Sequence, residues 1–337
     1  MQFIRAPALS AGDRVGLVAP SRPVADGRLD IAADRLESAF DLAVTRYPTA
    51  ERDPEGGPAA PAARARDIHD AFAECEAVLA ATGGDDQLRV LRHLDADHLR
   101  EHRARFFGYS DNDNLRLFLW NAGLVSYGVQ AHPDVTVDPD LHPYTARYLE
   151  RALFEETLGE VAPASEWTDR WYDFETGGPR EWFDAPGWTW RDRGRATGPV
   201  WGGSLAIVAW HLQTGRYLPD PDDLDGAVLA LETSETLPRP EEVGYVLRSL
   251  GERGWLDRFD GLLVGRPQAY NPASDRDPEF DDYRAAIREG ATRELDRYAP
   301  ETTAVFDVDF GHTSPTVPLP LGATATLDHA DETLRFD

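Results

Sequence analysis

Phe106-Phe107-Gly108-Tyr109-Ser110-Asp111-Asn112 is an apolar run that breaks on a serine flanked by turn-tolerant residues. Phe106 to Tyr109 read as the end of a buried strand, and Leu115, Leu117, Phe118 and Leu119 as the apolar side of a following helix. Ser110 therefore falls at a strand-to-helix corner. Gly108 lies two residues before it and Asn112 two residues after, so the corner can be tight. This is the logic of a nucleophile elbow, in which backbone strain lifts a hydroxyl above the carboxyl edge of a sheet. The pattern is not G-x-S-x-G, because Asn112 stands in place of the second glycine. Taken alone, such a serine is also what a helix N-cap or a plain turn would carry.

Working outward, the chain alternates strands with helices. Arg14 to Pro20 is a first strand, Leu29 to Phe40 has helical apolar spacing, and Leu42 to Tyr47 is a second strand. Ala62 to Cys75 reads as a helix, Ala77 to Ala81 as a strand, Thr82-Gly83-Gly84-Asp85-Asp86 as a turn, and Leu88 to Leu94 as a helix. This alternation predicts an α/β domain with a mainly parallel, doubly wound sheet, in which ligands sit at the carboxyl ends of strands. Gly83-Gly84 and Ser110 both fall at such ends. The double glycine is either a plain turn or backbone N–H left bare for a developing oxyanion; its spacing is not that of a dinucleotide-binding loop.

Leu141 to Leu158 reads as one more helix, after which the composition changes. Trp167, Trp171, Trp182, Trp188 and Trp190 crowd a stretch mixed with Gly, Pro and charges. It has too little periodicity for a regular core element and too many aromatics for disorder, so it is expected to be a folded connector. The second half opens at Trp201-Gly202-Gly203-Ser204. Ala227 to Leu231 is a buried strand ending in Glu232, Val243 to Leu250 a helix, Gly261 to Gly265 a strand, and Asp282 to Tyr298 a helix. Short strands and turns from Val305 to Leu327 carry His312. The expected division is 1–160, an N-terminal domain; 161–200, the aromatic connector; and 201–337, a C-terminal domain.

The 337 residues hold 60 Asp and Glu against 34 basic residues, a formal net charge of −26, and every basic residue is arginine. In dilute buffer such a surface repels itself. In molar salt the screening length falls to about 3 Å and the repulsion largely vanishes, so the composition describes a salt-adapted protein. It also disfavours binding to nucleic acid or an anionic membrane surface. Cys75 is the single cysteine, so no internal disulfide can form, and its apolar neighbours predict a buried, inert thiol. Met1 to Gly12 lacks a signal-peptide core and no run is long enough to span a membrane, so a cytoplasmic location is expected.

A nucleophilic serine needs a base, and the base needs an orienting partner. His69, His93, His98 and His102 lie in charged helical stretches and read as solvated; His211 lies within a helix and His329 in an acidic turn. His132 and His142 flank a Pro/Asp loop and stay open as candidates. His312, between Gly311 and Thr313 after a short apolar strand, sits where a side chain would project from a sheet end. Glu232 closes an apolar strand, so its carboxylate needs a partner; Glu235, Glu241 and Glu242 read as surface residues. Asp111, Asp113, Asp138 and Asp140 could face a hard cation, but the spacing of a calcium loop is missing, and neither a metal nor a cofactor is expected.

These pieces line up with a known pattern. Gly12-Asp13-Arg14-Val15 with Val18-Ala19-Pro20-Ser21, Gly83-Gly84, Gly108-Tyr109-Ser110-Asp111, Gly202-Gly203, the strand ending in Glu232, and Gly311-His312-Thr313 occur in order along nearly the whole chain. The sequence resembles the LD-carboxypeptidase family of serine peptidases (S66), and within it the microcin C immunity branch. The resemblance implies a Rossmann-like N-terminal domain with a smaller β-rich C-terminal domain, a homodimer, and a Ser-Glu-His triad: Ser110 as nucleophile, His312 as general base and then acid, Glu232 as the group that orients the imidazole. It implies an oxyanion hole from the backbone amides of Gly84 and Asp111, with Gly83, Trp188 and Trp190 at the substrate. That substrate would be a small peptide or peptidyl-nucleotide; a murein tetrapeptide, or mere binding of peptide or nucleotide without catalysis, are the alternatives. Ser204 stands where the family usually has Asn, and Thr233 where it usually has Asp.

The charge reading makes the first prediction. The melting temperature should be higher in molar KCl than in dilute buffer; equal melting in both would overturn salt adaptation.

Overall fold

The computed structural model describes all residues except 137–140, 174–178 and 192–193. The chain divides into two compact units, Met1–Leu158 with Val317–Gly322, and Gly159–Thr316 with Ala323–Asp337.

The first unit is built on β1 (Arg14–Val18), β2 (Ala43–Arg46), β3 (Ala77–Ala80), β4 (Arg105–Phe107) and β5 (Ser126–Gly128). These strands are mutually parallel in the order β5-β4-β3-β1-β2, and Leu319–Leu321 adds an antiparallel strand beside β5. β3 and β4 are buried at every position, as central parallel strands covered on both faces must be. Helices α1 (Asp26–Phe40), α2 (Pro61–Glu74), α3 (Ala96–His102) and α4 (Asp113–Asn121) make the connections, and α5 (Pro143–Phe154) follows β5. In α2, Ala65, Ile68, Ala71 and Phe72 recur at helical spacing and all are buried. The strand order reverses between β1 and β3, so the loops leaving these two strands open a crevice at the carboxyl edge of the sheet. The loop after β4, which carries Ser110, leaves the same edge.

One predicted helix is replaced. Leu88 to Leu94 forms two 3₁₀ turns, Gln87–Arg89 and Leu91–His93, before α3 begins. Asp111 accepts the Gln87 backbone N–H, and Gln87 Oε1 accepts the Leu115 N–H, so this segment is pinned to the serine elbow at its first residue. Leu141 to Leu158 helical spacing corresponds to α5, which stops at Phe154.

The second unit is β-rich: its main sheet has eight strands against six in the first. Four parallel strands, Arg195–Ser204, Ala227–Glu232, Phe259–Gly265 and Thr303–Val308, form the centre. Antiparallel strands extend both sides, Thr324–Asp328, Thr333–Phe336 and Gly159–Val161 on one and Thr189–Arg191 on the other. Helices Leu205–Thr214, Pro240–Glu252 and Phe280–Tyr298 link the parallel strands. The aromatic stretch expected as a connector is not a separate element. Its described residues belong to this unit, and Thr189–Arg191 is an edge strand of the sheet. Of the aromatics that broke the periodicity, Trp167 is buried and its ring stacks on Phe280 at 4.1 Å, while Trp171 stays half exposed.

Gly202 shows how closely the central strands are pressed together. It lies at φ +132°, and a Cβ there would stand 2.0 Å from the carbonyl oxygen of Ala230. Gly202→Ala should therefore cost about 3 kcal/mol or more, since no backbone can yield that distance inside a paired sheet. A denaturant midpoint within error of the parent would refute this.

Candidate active site

Ser110 follows β4 and has φ +62°, a left-handed conformation that a side chain enters only under constraint. Gly83 is pressed against it, because a Cβ on Gly83 would lie 3.0 Å from Ser110 Oγ and 3.1 Å from its Cβ. Gly84, at φ +153°, leaves no room either: a Cβ there would meet Ser21 Oγ at 2.3 Å. The double glycine is thus required by close approach between loops. Asn112, the residue that departs from the common elbow pattern, is wholly buried and fully used. Its Nδ2 donates to Thr82 O at 2.9 Å and Gln130 Oε1 at 3.0 Å, while its Oδ1 accepts from Gln87 Nε2 at 2.9 Å. A glycine at this position would lose all three bonds.

In the second unit Glu232 is the last residue of one parallel strand and His312 follows the carboxyl end of another, and they meet. The ring Nδ1 of His312 lies 2.8 Å from Glu232 Oε2, which also accepts the Ser234 backbone N–H at 2.8 Å. Glu232 is only 4% exposed, and glycines wall it in: a Cβ on Gly311 would lie 2.9 Å, and one on Gly265 3.1 Å, from Glu232 Cβ. Glu232 Oε1 and Thr233 Oγ1 are buried with no hydrogen-bond partner among the described residues. Ser204 pairs in register with Glu232 on the neighbouring strand.

Glu235, read from the sequence as a surface residue, does keep a side chain 43% exposed, yet it also reaches His312. Its Oε2 lies 3.0 Å from His312 Nε2, so each ring nitrogen faces a carboxylate. Two left-handed residues, Ser234 at φ +59° and Leu237 at φ +48°, fold the loop back, and Asn271 Nδ2 donates to Glu235 O at 2.7 Å. No local pattern marks such a turn; the sole hint is a second carboxylate three residues after the first in the strand-ending Glu232-Thr233-Ser234-Glu235. Burial works against a charged imidazole, but Glu232 and Glu235 outweigh it and raise the His312 pKa well above its ordinary value. Burial likewise opposes ionisation of Glu235, yet its contact with His312 brings it down to about 2.

The other candidates have surroundings of their own. His132 Nδ1 lies 2.7 Å from Thr136 Oγ1 and its Nε2 2.9 Å from Arg28; burial, then the Arg28 charge, lower its pKa to about 4. His142 caps α5 through the Tyr144 N–H, and burial lowers His211 to about 4. His69 and His98 are half-buried rather than solvated, their rings 4.9 Å apart. Trp188 donates its indole N–H to Asp309 Oδ2 at 2.8 Å, and Trp190 lines a cavity of about 530 Å³ with Arg288, Arg293 and Phe306. A larger cavity of about 670 Å³ is lined by Trp167, Phe183, Tyr270 and Phe280. Cys75 is buried, and burial first of all pushes its thiol pKa up. Among the described residues no cluster of His, Cys, Asp or Glu is arranged to hold a metal. The Asp113 carboxylate is taken by Arg116 at 2.6 Å; Asp138 and Asp140 lie outside the described residues. No helix among the described residues is long and apolar enough to cross a membrane.

Two profiles account for most of the chain: the LD-carboxypeptidase N-terminal domain over residues 15–128 and the LD-carboxypeptidase C-terminal domain over residues 197–327. The chain belongs to the LD-carboxypeptidase (S66) family. It is 28% identical over 97% of its length, and 92% of the other, to a Bacillus subtilis protein named "Probable murein peptide carboxypeptidase". Among solved structures its fold matches an MccF-like protein from Bacillus anthracis at TM-score 0.84, with 23% identity, 99% of this chain and 98% of that one. An MccF-like protein from Streptococcus pneumoniae in complex with AMP matches at TM-score 0.81, with 24% identity, 97% of this chain and 99% of the other. Microcin C7 self immunity protein MccF in complex with aspartyl sulfamoyl adenosine matches at 0.84, with 18% identity and coverage of 99% and 98%. Membership of an LD-carboxypeptidase family makes this chain a peptidase-type hydrolase.

For this LD-carboxypeptidase relative, the paired carboxylates set a pH signature. The raised His312 pKa means that its folded-state partners favour the imidazolium. Their contribution to stability is therefore full below the ordinary value and is lost as pH rises through the raised one. Glu235→Gln removes one of the two carboxylates, so the His312 titration midpoint followed by NMR should move down. An unmoved midpoint would show that Glu235 does not act on the ring.

Proposed function

We propose that this chain is a serine peptidase or amidase that cleaves an amide bond in a small peptide or peptidyl-nucleotide through an acyl-enzyme. Ser110 is the nucleophile, His312 the general base and then acid, and Glu232 the group that fixes the imidazole. The observation that carries the reading is the 2.8 Å contact of His312 Nδ1 with a buried Glu232 carboxylate, in a chain of this family. That bond assigns the Nδ1 proton and leaves Nε2 as the nitrogen for proton transfer. In the first half-reaction Nε2 takes the Ser110 hydroxyl proton as Oγ adds to the scissile carbonyl, and returns it to the leaving amine as the C–N bond breaks. Water then repeats the sequence on the ester and releases Ser110. The backbone N–H groups of Gly84 and Asp111 are proposed to hold the oxyanion. Base catalysis requires neutral imidazole, so Glu235 must leave Nε2 or hold it only at lower pH.

Two substrate classes have support. AMP and aminoacyl sulfamoyl nucleosides occupy structures of the same fold, which favours a nucleotide-bearing amide. The relative named for murein peptides favours an LD-tetrapeptide as the second reading. A cytoplasmic, salt-adapted homodimer belongs to the same proposal.

The test is a screen in molar KCl of aminoacyl phosphoramidate nucleosides and LD-tetrapeptides, with intact mass after rapid quench. The parent should turn over a member of one class and accumulate an acyl adduct. Ser110→Ala and His312→Ala should each lower kcat by about 10³-fold or more without unfolding. Undiminished turnover in both variants would reject the triad, and binding without turnover or adduct would leave a binding module.

A further inference from the structure

Asp111 is 1% exposed, and its carboxylate is the meeting point of three segments of the first unit. Oδ2 accepts the hydroxyl of Ser21, from the loop after β1, and the backbone N–H groups of Asp86 and Gln87, both at 2.9 Å, from the loop after β3. Oδ1 accepts Asn114 Nδ2 at 2.9 Å, and the same amide donates to the Asp111 carbonyl at 2.8 Å. Burial pushes the Asp111 pKa up, while the Ser21 hydroxyl and the two backbone N–H groups oppose that rise. Asn114 lies in α4, immediately after the elbow.

Three of the four donors therefore come from outside the elbow, and they belong to the two loops that flank the crevice at the β1/β3 reversal. The Asp86 amide is two residues beyond Gly84. The Gly83–Gly84 segment is held between Ser110 on one side and Ser21 on the other: a Cβ on Gly83 would crowd Ser110 and one on Gly84 would overlap Ser21. Arg64 reinforces the same arrangement from α2: its Nη1 donates to Pro20 O and Ser21 O, each at 3.0 Å, and its Nη2 pairs with Asp86. A carboxylate used only for packing would not need its strongest bonds to run to other loops.

We infer that Asp111 is a positioning residue whose carboxylate ties the Gly83–Gly84 segment to the Ser110 elbow and so sets where the oxyanion-binding amide stands relative to the nucleophile. The inference rests on the proposed hydrolase reading. It assigns to the side chain a duty separate from that of the residue's own backbone N–H. An amide cannot replace the carboxylate. Asn presents one acceptor, so it can keep the three donors at Oδ2 only by turning an NH₂ against Asn114 Nδ2. A displacement of about 1 Å between reacting groups costs about 10²-fold in rate.

The test compares Asp111→Asn and Ser21→Ala with the parent and Ser110→Ala, on the substrate turned over best in the screen above. Hydrogen–deuterium exchange of the peptide covering residues 82–87 is read alongside. Asp111→Asn should lower kcat by about 10²-fold with KM within about threefold, and Ser21→Ala by about tenfold. The acid limb of the pH–rate profile, set by His312, should stay in place, and exchange over 82–87 should quicken in both variants. A general loosening would move KM and the acid limb as well, and would overturn the inference. So would folded variants with kcat within twofold of the parent. Should Asp111→Asn fail to fold, Ser21→Ala decides by the same readouts. If the parent proves no faster than Ser110→Ala on every substrate, the hydrolase reading fails by itself. Exchange over 82–87 then still decides the tether: quickening upholds it and parent-like protection overturns it.

Discussion

A serine at φ +62° between buried polar residues is a costly arrangement, and it persists only where its surroundings leave no alternative. Here the constraint is supplied by the two residues that follow it. Asp111 and Asn112 are 1% and 0% exposed and between them engage Ser21, Thr82, Asp86, Gln87, Asn114 and Gln130. The loops after β1 and β3 and the start of α4 are thereby joined through buried polar side chains. In such a network each bond is modest, but any partner left alone would bear its full desolvation cost. The elbow, the double glycine and the 3₁₀ turn at Gln87 are therefore one construction.

The second unit solves a different problem, that of holding a carboxylate and an imidazole together in a nearly dry place. Glu232 is enclosed by positions where only glycine fits, so the side chain cannot swing away from His312. Asp309 shows the same economy three residues before His312. Its carboxylate takes Arg266 at 2.7 Å, the Trp188 indole at 2.8 Å and the Ala164 N–H at 3.0 Å, and so fixes the start of the histidine loop. Arg266 and Asp309 are almost wholly buried; such a pair says little about net stability, but breaking one partner would strand the other.

Much of this was legible in the residues. The alternation of apolar runs gave the parallel sheet, because central strands must be apolar on both faces, and the corner at Ser110 followed from Gly108 and Asn112. Glu232 was visible as a carboxylate closing an apolar strand. What stayed hidden depends on contacts remote in sequence. Leu88 to Leu94 has helical apolar spacing, yet Asp111 and Leu115 claim Gln87 and hold the segment as 3₁₀ turns. Glu235 resembles any surface acid until two left-handed residues fold its loop back onto His312. The tryptophan-rich stretch lacks periodicity because residues such as Trp167 and Trp188 make their contacts from loops and short strands, and composition cannot tell a connector from the rim of a domain.

The strand Leu319–Leu321 carries a consequence for how the molecule comes to be made. It completes the sheet of the first unit from the far end of the chain, pairing with β5 while its Leu319 carbonyl accepts Arg116 Nη2 at 2.6 Å. During synthesis everything from Met1 to Leu158 leaves the ribosome long before that strand exists. Through that interval β5 is an open edge, and Arg116, buried beside Asp113 in the finished protein, lacks one of its acceptors. The nascent first unit is thus an unfinished sheet waiting on its last strand, and a ribosome that stalls before residue 321 releases a chain with a sticky edge rather than a working half.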